Sequence, residues 1–388
     1  MRIAPPLALW TLFAMRLSRR AALTIPALLL PGRGALAAAP DDAALRALNR
    51  AVVEQGVLPG YRRFTSATAN LTARLDALAR DPTEPGPLAA AREGFADTML
   101  AWQSVQHIRF GPADLFSRHA RVQFWPDPED RVGQDLARAI ATRDTTVLEA
   151  RPQALGHVTT RGLPALERLL FGEGAAAGLA AGDAGAGYRA ALLRTIGGNL
   201  ATLGRDLLAG WTGGETPQAA AMTEPRAPYA TPRDATLDLL RALHAALEAV
   251  AGPKLAPALR NSAAAADPQQ LECWRSRLSG QAIRVNVEAI RAMTTGMLPA
   301  LEAAGAGELV LRLRQSLDLL DAGTAAFHLP LEEAIGDEAR RAAPLQARDE
   351  AASLRLLLAQ RLVPALGLPA STSLTEDGGI AAPPAPPR

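Results

Sequence analysis

The sequence predicts an all-α protein built as two helical bundles related by approximate internal duplication. Three observations carry that expectation. Ala and Leu dominate the 388 residues while aromatic residues make up 4%, a mix that favours helix over sheet. Apolar residues recur at helical spacing, and no stretch shows the strict alternation of a half-buried strand. Residues 161–172, RGLPALERLLFG, also have a near-copy of their core at 328–333, HLPLEE. Each copy opens on Leu-Pro and places a Glu three residues after the proline, at Glu167 and Glu333. Proline has no N–H to lose at a helix start, and a first-turn carboxylate faces the positive end of the helix dipole. Two carboxylates in equivalent places point to a site assembled from both halves, and 388 residues exceed one comfortable core.

Residues 1–39 read as an export signal. Arg19 and Arg20 precede the apolar run 21–30, and Ala35-Leu36-Ala37 offers a small-residue cleavage site near Ala37. The paired arginines resemble a twin-arginine signal, the ordinary secretory route being the alternative, and Met15 can serve as the true start. A first bundle is expected over 40–209. Within it, 41–57 and 61–80 have helical spacing, with Leu71, Leu75 and Leu78 as the stripe of the second. A Pro-rich turn at 81–87 separates that helix from one at 88–108. The aromatic, Pro- and Gly-rich stretch 110–133 is too irregular for helix and too long for a simple connector, which points to function. Helix resumes at 134–140, 164–171 and 188–208. The Pro/Gly-rich segment 210–234 is expected to connect the bundles. A second bundle over 235–370 follows, from helices at 235–250, 269–279, 282–304, 308–320 and 345–366. The tail 371–388 is expected to be disordered. Past residue 40 no apolar run approaches the roughly 20 residues needed to span a bilayer, so no stable membrane insertion is expected.

Charge narrows the function classes. The formal net charge of +2 includes Arg2, Arg16, Arg19, Arg20 and Arg33 of the signal, so losing those five leaves −3. A slightly acidic mature chain gives no electrostatic basis for nucleic-acid binding. Every basic residue but Lys254 is Arg, scattered among acids, which reads as coding preference. Cys273 is the single cysteine; it forms no intramolecular disulfide and is expected to be a small core residue beside Trp274. Gly-rich phosphate loops, Gly-x-Ser-x-Gly, Cys-x-x-Cys and His-Glu-x-x-His are all missing from the sequence.

Four segments carry a family likeness: Pro59-Gly60-Tyr61, then AWQSVQHIRFGP at 101–112, RVQFWPD at 121–127, and GLPALERLLFG at 162–172. Trp274-Arg275-Ser276 and Ile283-Arg284-Val285-Asn286 add to it. Together they resemble the imelysin-like family of bacterial periplasmic proteins over nearly all of the mature length. The resemblance implies two duplicated helical bundles, export, and a link to iron acquisition or divalent metals. The family's peptidase motif, Gly-x-His-x-x-Glu, maps onto Gly162, Pro164 and Glu167. Proline stands where the histidine should be and offers no ligand atom, so binding is preferred to proteolysis.

The expected protein is an exported, periplasmic, non-catalytic component that binds iron or another divalent metal and is linked to iron uptake. Glu167, Glu333 and His328 would form a mixed O/N metal site. Arg109, Arg121 and Arg161, with Trp125, would grip a small anionic ligand, the alternative being that these arginines pin the loop 110–133. Other iron-uptake components are the expected protein partners. Two other readings stand beside this one: a metallopeptidase with Glu167 as general base, and a binding module for an anionic glycan or partner protein.

Overall fold

The first two helices form one continuous helical path. Asp41 caps α1 (Asp42–Val52) by accepting the Ala44 N–H at 2.8 Å. A π-helical turn, Val53–Val57, then carries the chain into α2 (Leu58–Arg80). Pro59 sits in the first turn of α2, so no gap separates the helices expected at 41–57 and 61–80. The structure, a computed structural model, describes residues 38–149, 157–224, 226–369 and 371–375. The export signal expected at 1–39 lies, but for its last two residues, outside these.

After α3 (Pro85–Gln103) the chain turns irregular, as its aromatic, Pro- and Gly-rich composition predicts. Two short 3-10 turns, a short helix at Arg118–Val122 and an extended run through the cis Trp125–Pro126 bond lead to α4 (Arg131–Thr142). Helices α5 (Leu163–Phe171) and α6 (Ala184–Thr212) follow. The stretch 210–234 is Pro- and Gly-rich yet holds a short helix, Gln218–Thr223. A reciprocal Thr231–Asp234 capping box starts α7 (Pro232–Ala251). The chain then forms α8 (Ser279–Ala303), α9 (Gly307–Thr324) and α10 (Ala342–Leu357), the last running on through a π turn, Leu358–Leu362. Among the described residues there is no strand.

The helices form two bundles. In the first, α2 lies between α3 and α6, and its stripe of Leu71, Leu75 and Leu78 is fully buried. Burial of each such leucine stabilises by about 1.5–3 kcal/mol. The Thr65 and Thr72 hydroxyls donate to the Gly204 and Gly197 carbonyls of α6 at 2.8 and 3.0 Å. The second bundle packs α7, α8, α9 and α10 together, and α1 lies on α7 and α8. Buried Asn49 of α1 ties this packing to 210–234 by donating to the Met222 and Pro232 carbonyls at 3.1 and 2.9 Å. One apolar core runs through both bundles, within a compact unit that begins at Ala38. Leu374 at the start of the tail is buried; residues 376–388 lie outside the described residues.

One expected helix is absent. Residues 269–279 form a 3-10 turn, Pro268–Gln270, followed by a series of turns through 272–277. Cys273 and Arg277 take left-handed backbone angles, φ 62° and 59°, which an α-helix cannot contain. Side chains support the loop in place of the helical ladder. The Ser276 hydroxyl lies 3.0 Å from the Cys273 carbonyl oxygen, and the Ser279 hydroxyl 2.5 Å from the Glu272 carbonyl oxygen.

Candidate functional site

The loop 272–277 faces the first turns of α5 across a cleft of about 480 Å³. Trp125, Asp130, Pro164, Glu167, Arg168 and Arg275 are among the residues that wall it. The cleft thus lies where the two bundles meet. Gly162, just before α5, lets the backbone pass closely behind this wall: a Cβ there would sit 2.8 Å from the Val122 carbonyl oxygen and 3.2 Å from that of Arg121.

Glu167 is 6% exposed. Its Oε1 accepts both the Ser276 backbone N–H at 2.9 Å and the Ser276 hydroxyl at 2.7 Å, which stitches α5 to the loop. Burial raises its pKa above the ordinary carboxyl range, against the two Ser276 bonds, which lower it. Pro164 occupies the motif histidine's place and lines the same cleft.

Behind Trp125 lies a buried polar network. Lys254, 1% exposed, pairs with the Glu272 carboxylate and donates to Gln103 Oε1 at 2.9 Å. Its ammonium lies 5.1 Å from the centre of the Trp125 ring, within cation–π reach. Glu272 also accepts from the side-chain amides of Gln123 at 2.5 Å and Gln103 at 3.2 Å. Asn286 of α8 donates to the Gln103 carbonyl at 2.8 Å. The loop's other flank is held by the Ser279 hydroxyl, which donates to Glu332. Burial first, and then the Glu272 and Glu167 carboxylates, push the Cys273 thiol well above its ordinary pKa, so it stays protonated.

The residues singled out in the sequence divide into several groups. Glu167 lines the cleft. Glu333 is half exposed and ion-paired with Arg277, while exposed His328 turns Nδ1 toward the Ala325 carbonyl at 3.1 Å. Among the described residues no set of three or more His, Cys, Asp or Glu side chains converges as metal ligands. Arg161 donates to the Val147 and Thr146 carbonyls at 3.0 and 3.1 Å. Arg121 donates to Asn199 Oδ1 at 3.2 Å, and Asn199 donates to the Arg161 carbonyl at 3.0 Å. Arg161 therefore holds loop backbone in place, and Arg121 braces the Asn199 side chain that reaches the Arg161 carbonyl. Trp125 and Arg109 line a neighbouring pocket with His107. Burial and the Arg109 charge hold the His107 pKa down to about 4. His119 stays neutral too, its ring beside Trp102 and its Nε2 at 2.7 Å from the Gln106 carbonyl oxygen.

Lys254, Glu272, Gln103, Gln123, Ser276 and Asn286 escaped sequence reasoning as site residues. Lys254 carried a signal, as the single lysine in a chain that otherwise uses Arg. Ser276 and Asn286 stood in segments that bear the family likeness.

The fold and the cleft define a class: an all-helical, two-bundle protein with a polar cleft at the bundle junction. The chain belongs to the imelysin family, whose model, described as Imelysin (peptidase M75), matches residues 57–357. Two solved structures share the fold. An imelysin-like protein from Psychrobacter arcticum is 20% identical, with a TM-score of 0.67, covering 86% of this chain and 99% of that one. An iron-regulated protein A precursor from Parabacteroides distasonis is 18% identical, with a TM-score of 0.65, covering 83% and 95%. No curated protein matches the chain. No helix among the described residues is long and apolar enough to cross a membrane.

Proposed function

We propose that this imelysin-family chain is an exported, periplasmic binding protein with an iron-related role, without peptidase activity, and that its ligand is a small anion or anionic metal chelate held in the junction cleft. The donor set does not fit a metal held by the family's His-Glu motif. Pro164 has no ligand atom, and one oxygen of Glu167 is taken by two Ser276 donors. The observation that carries the anionic reading is the closeness of Arg168 and Arg275 on the cleft wall. Burial first, and then the Arg168 charge, lower the Arg275 pKa, against Glu167 and Asp130, which raise it, Asp130 being ion-paired with Arg168. The Arg275 guanidinium carbon also lies 4.2 Å from the centre of the Trp274 ring, within cation–π reach, on the same cleft wall. The iron relation rests on the family and on the name of the Parabacteroides structure.

The test is metal content by mass spectrometry on protein from the periplasm, followed by titration with ferric citrate, in wild type, Arg275→Ala and Glu167→Gln. Ferric citrate binding that Arg275→Ala weakens at least tenfold and Glu167→Gln retains supports the anionic cleft. Stoichiometric metal lost in Glu167→Gln would establish direct coordination and overturn it. Chelator-sensitive protein hydrolysis, abolished by Glu167→Ala, would restore the peptidase reading.

A further inference from the structure

We propose that the anion selected by the junction cleft is an aryl carboxylate, its carboxylate on Arg275 and its ring on Trp125 and Phe124. This choice of ligand class rests on the anionic reading of the same cleft.

Most of the charge along the cleft is already spent. Arg168 is paired with Asp130, and Glu272 with Lys254. The Asp127 carboxylate caps the start of α4, accepting the Arg131 and Val132 N–H groups at 2.8 and 2.9 Å. Arg275 is different. Among the described residues its guanidinium has no hydrogen bond or ion pair, only the Trp274 ring beside it. Its donors are left to meet a carboxylate. Glu167 gives Oε1 to Ser276 and, from the same wall, disfavours a second free carboxylate.

Most of the remaining wall is apolar: the rings of Phe124, Trp125 and Trp274, five prolines and Leu271. Two of these rings are backed by a cation. The buried Lys254 ammonium lies over Trp125, 5.1 Å from the ring centre, and the Arg131 guanidinium over Phe124, at 5.6 Å. Neither cation lines the cleft, so each sits behind its ring. A cation under one face offsets the negative potential that a ring carries on the other. The face left to the cleft then takes an electron-rich ring, stacked with an offset, in preference to a saturated one. A carboxylate on an aromatic ring meets both demands, the guanidinium and the cation-backed rings. The cleft of about 480 Å³ exceeds one such acid and leaves room for a chelated ion beside it.

Benzoate and cyclohexanecarboxylate carry the same charge on rings of similar size, and they make the test. Calorimetry and ligand-observed NMR on protein from the periplasm measure both. Benzoate is expected to bind saturably, about fivefold or more tighter than cyclohexanecarboxylate, with its ring protons shifted upfield by the indole. Arg275→Gln should weaken both acids by about tenfold or more. Phe124→Leu and Trp125→Leu should each bring benzoate toward cyclohexanecarboxylate and leave the latter nearly unchanged. Melting curves check each fold, and the wild-type comparison decides if either variant unfolds. Equal binding of the two acids, both weakened by Arg275→Gln, would overturn the aryl class and leave the anionic reading standing. Ferric citrate binding without saturable benzoate binding would do the same. Benzoate binding that survives Arg275→Gln, or no saturable binding of any of the three ligands, would overturn both.

Discussion

Glu167 and Glu333 each stand three residues after the proline of near-identical elements, and both reach the same loop, at Ser276 and Arg277. There the likeness ends. The first element opens a nine-residue helix, with Pro164 in its first turn and Glu167 buried. The second opens a single turn, Leu331–Ala334, with Pro330 just ahead of it and Glu333 half exposed. It is Glu332, one residue earlier, that turns toward the loop's interior and Ser279. A shared sequence element sets a helix start; what packs on it sets the chemistry of its carboxylate.

The contrast can be broken at its buried side first. Lys254→Met leaves Glu272 enclosed without a counter-charge, and unfolding in urea should show a loss of about 3–5 kcal/mol. Pairing it with Glu272→Leu should recover part of that loss, whereas an unchanged midpoint for Lys254→Met alone would show that the ion pair does not hold the loop. Gly162→Ala forces a Cβ against the Val122 and Arg121 carbonyls and should cost about 2–3 kcal/mol. Its counterpart, His328→Ala on the surface, should be close to neutral. Glu167→Ala strands two Ser276 donors and should cost about 1–2 kcal/mol by the same measurement.

Acid titration sharpens the comparison further. The raised Glu167 pKa gives a contribution fully present below the ordinary value of 4.5 and lost as pH rises through the folded value. His107 works in the opposite sense: its contribution is present above 6.5 and lost as pH falls toward about 4. Glu167→Gln should therefore destabilise more steeply than wild type between pH 6.5 and 4.5, and His107→Gln less steeply. Parallel melting curves for all three proteins would refute both assignments. The smallest effect belongs to Glu333→Ala, whose exposed pair with Arg277 should change stability by less than about 0.5 kcal/mol.

The helices were legible because their signals are local: the Leu71–Leu75–Leu78 stripe, Pro at helix starts, and the irregular composition of 110–133. The loop 272–277 was not. Its left-handed positions are filled by Cys273 and Arg277 rather than Gly, and Leu271, Trp274 and Leu278 mimic a helical stripe. The burial of Lys254 was equally hidden, because its partners Gln103, Trp125 and Glu272 come from three distant parts of the chain. Arg161 looked like a ligand grip but spends its donors on the Thr146 and Val147 carbonyls.

The paired threonine–glycine contacts between α2 and α6 act as a vernier. Thr65 meets Gly204 and Thr72 meets Gly197, so the two marks are equally spaced on antiparallel rods. A slip of one helical turn, about 5.4 Å, would put both marks out of line together. Asn199 rides on α6 between those glycines and grasps the Arg161 carbonyl, one residue ahead of Gly162. The height of the cleft wall is thereby calibrated by a helix pair that lines no part of the cleft.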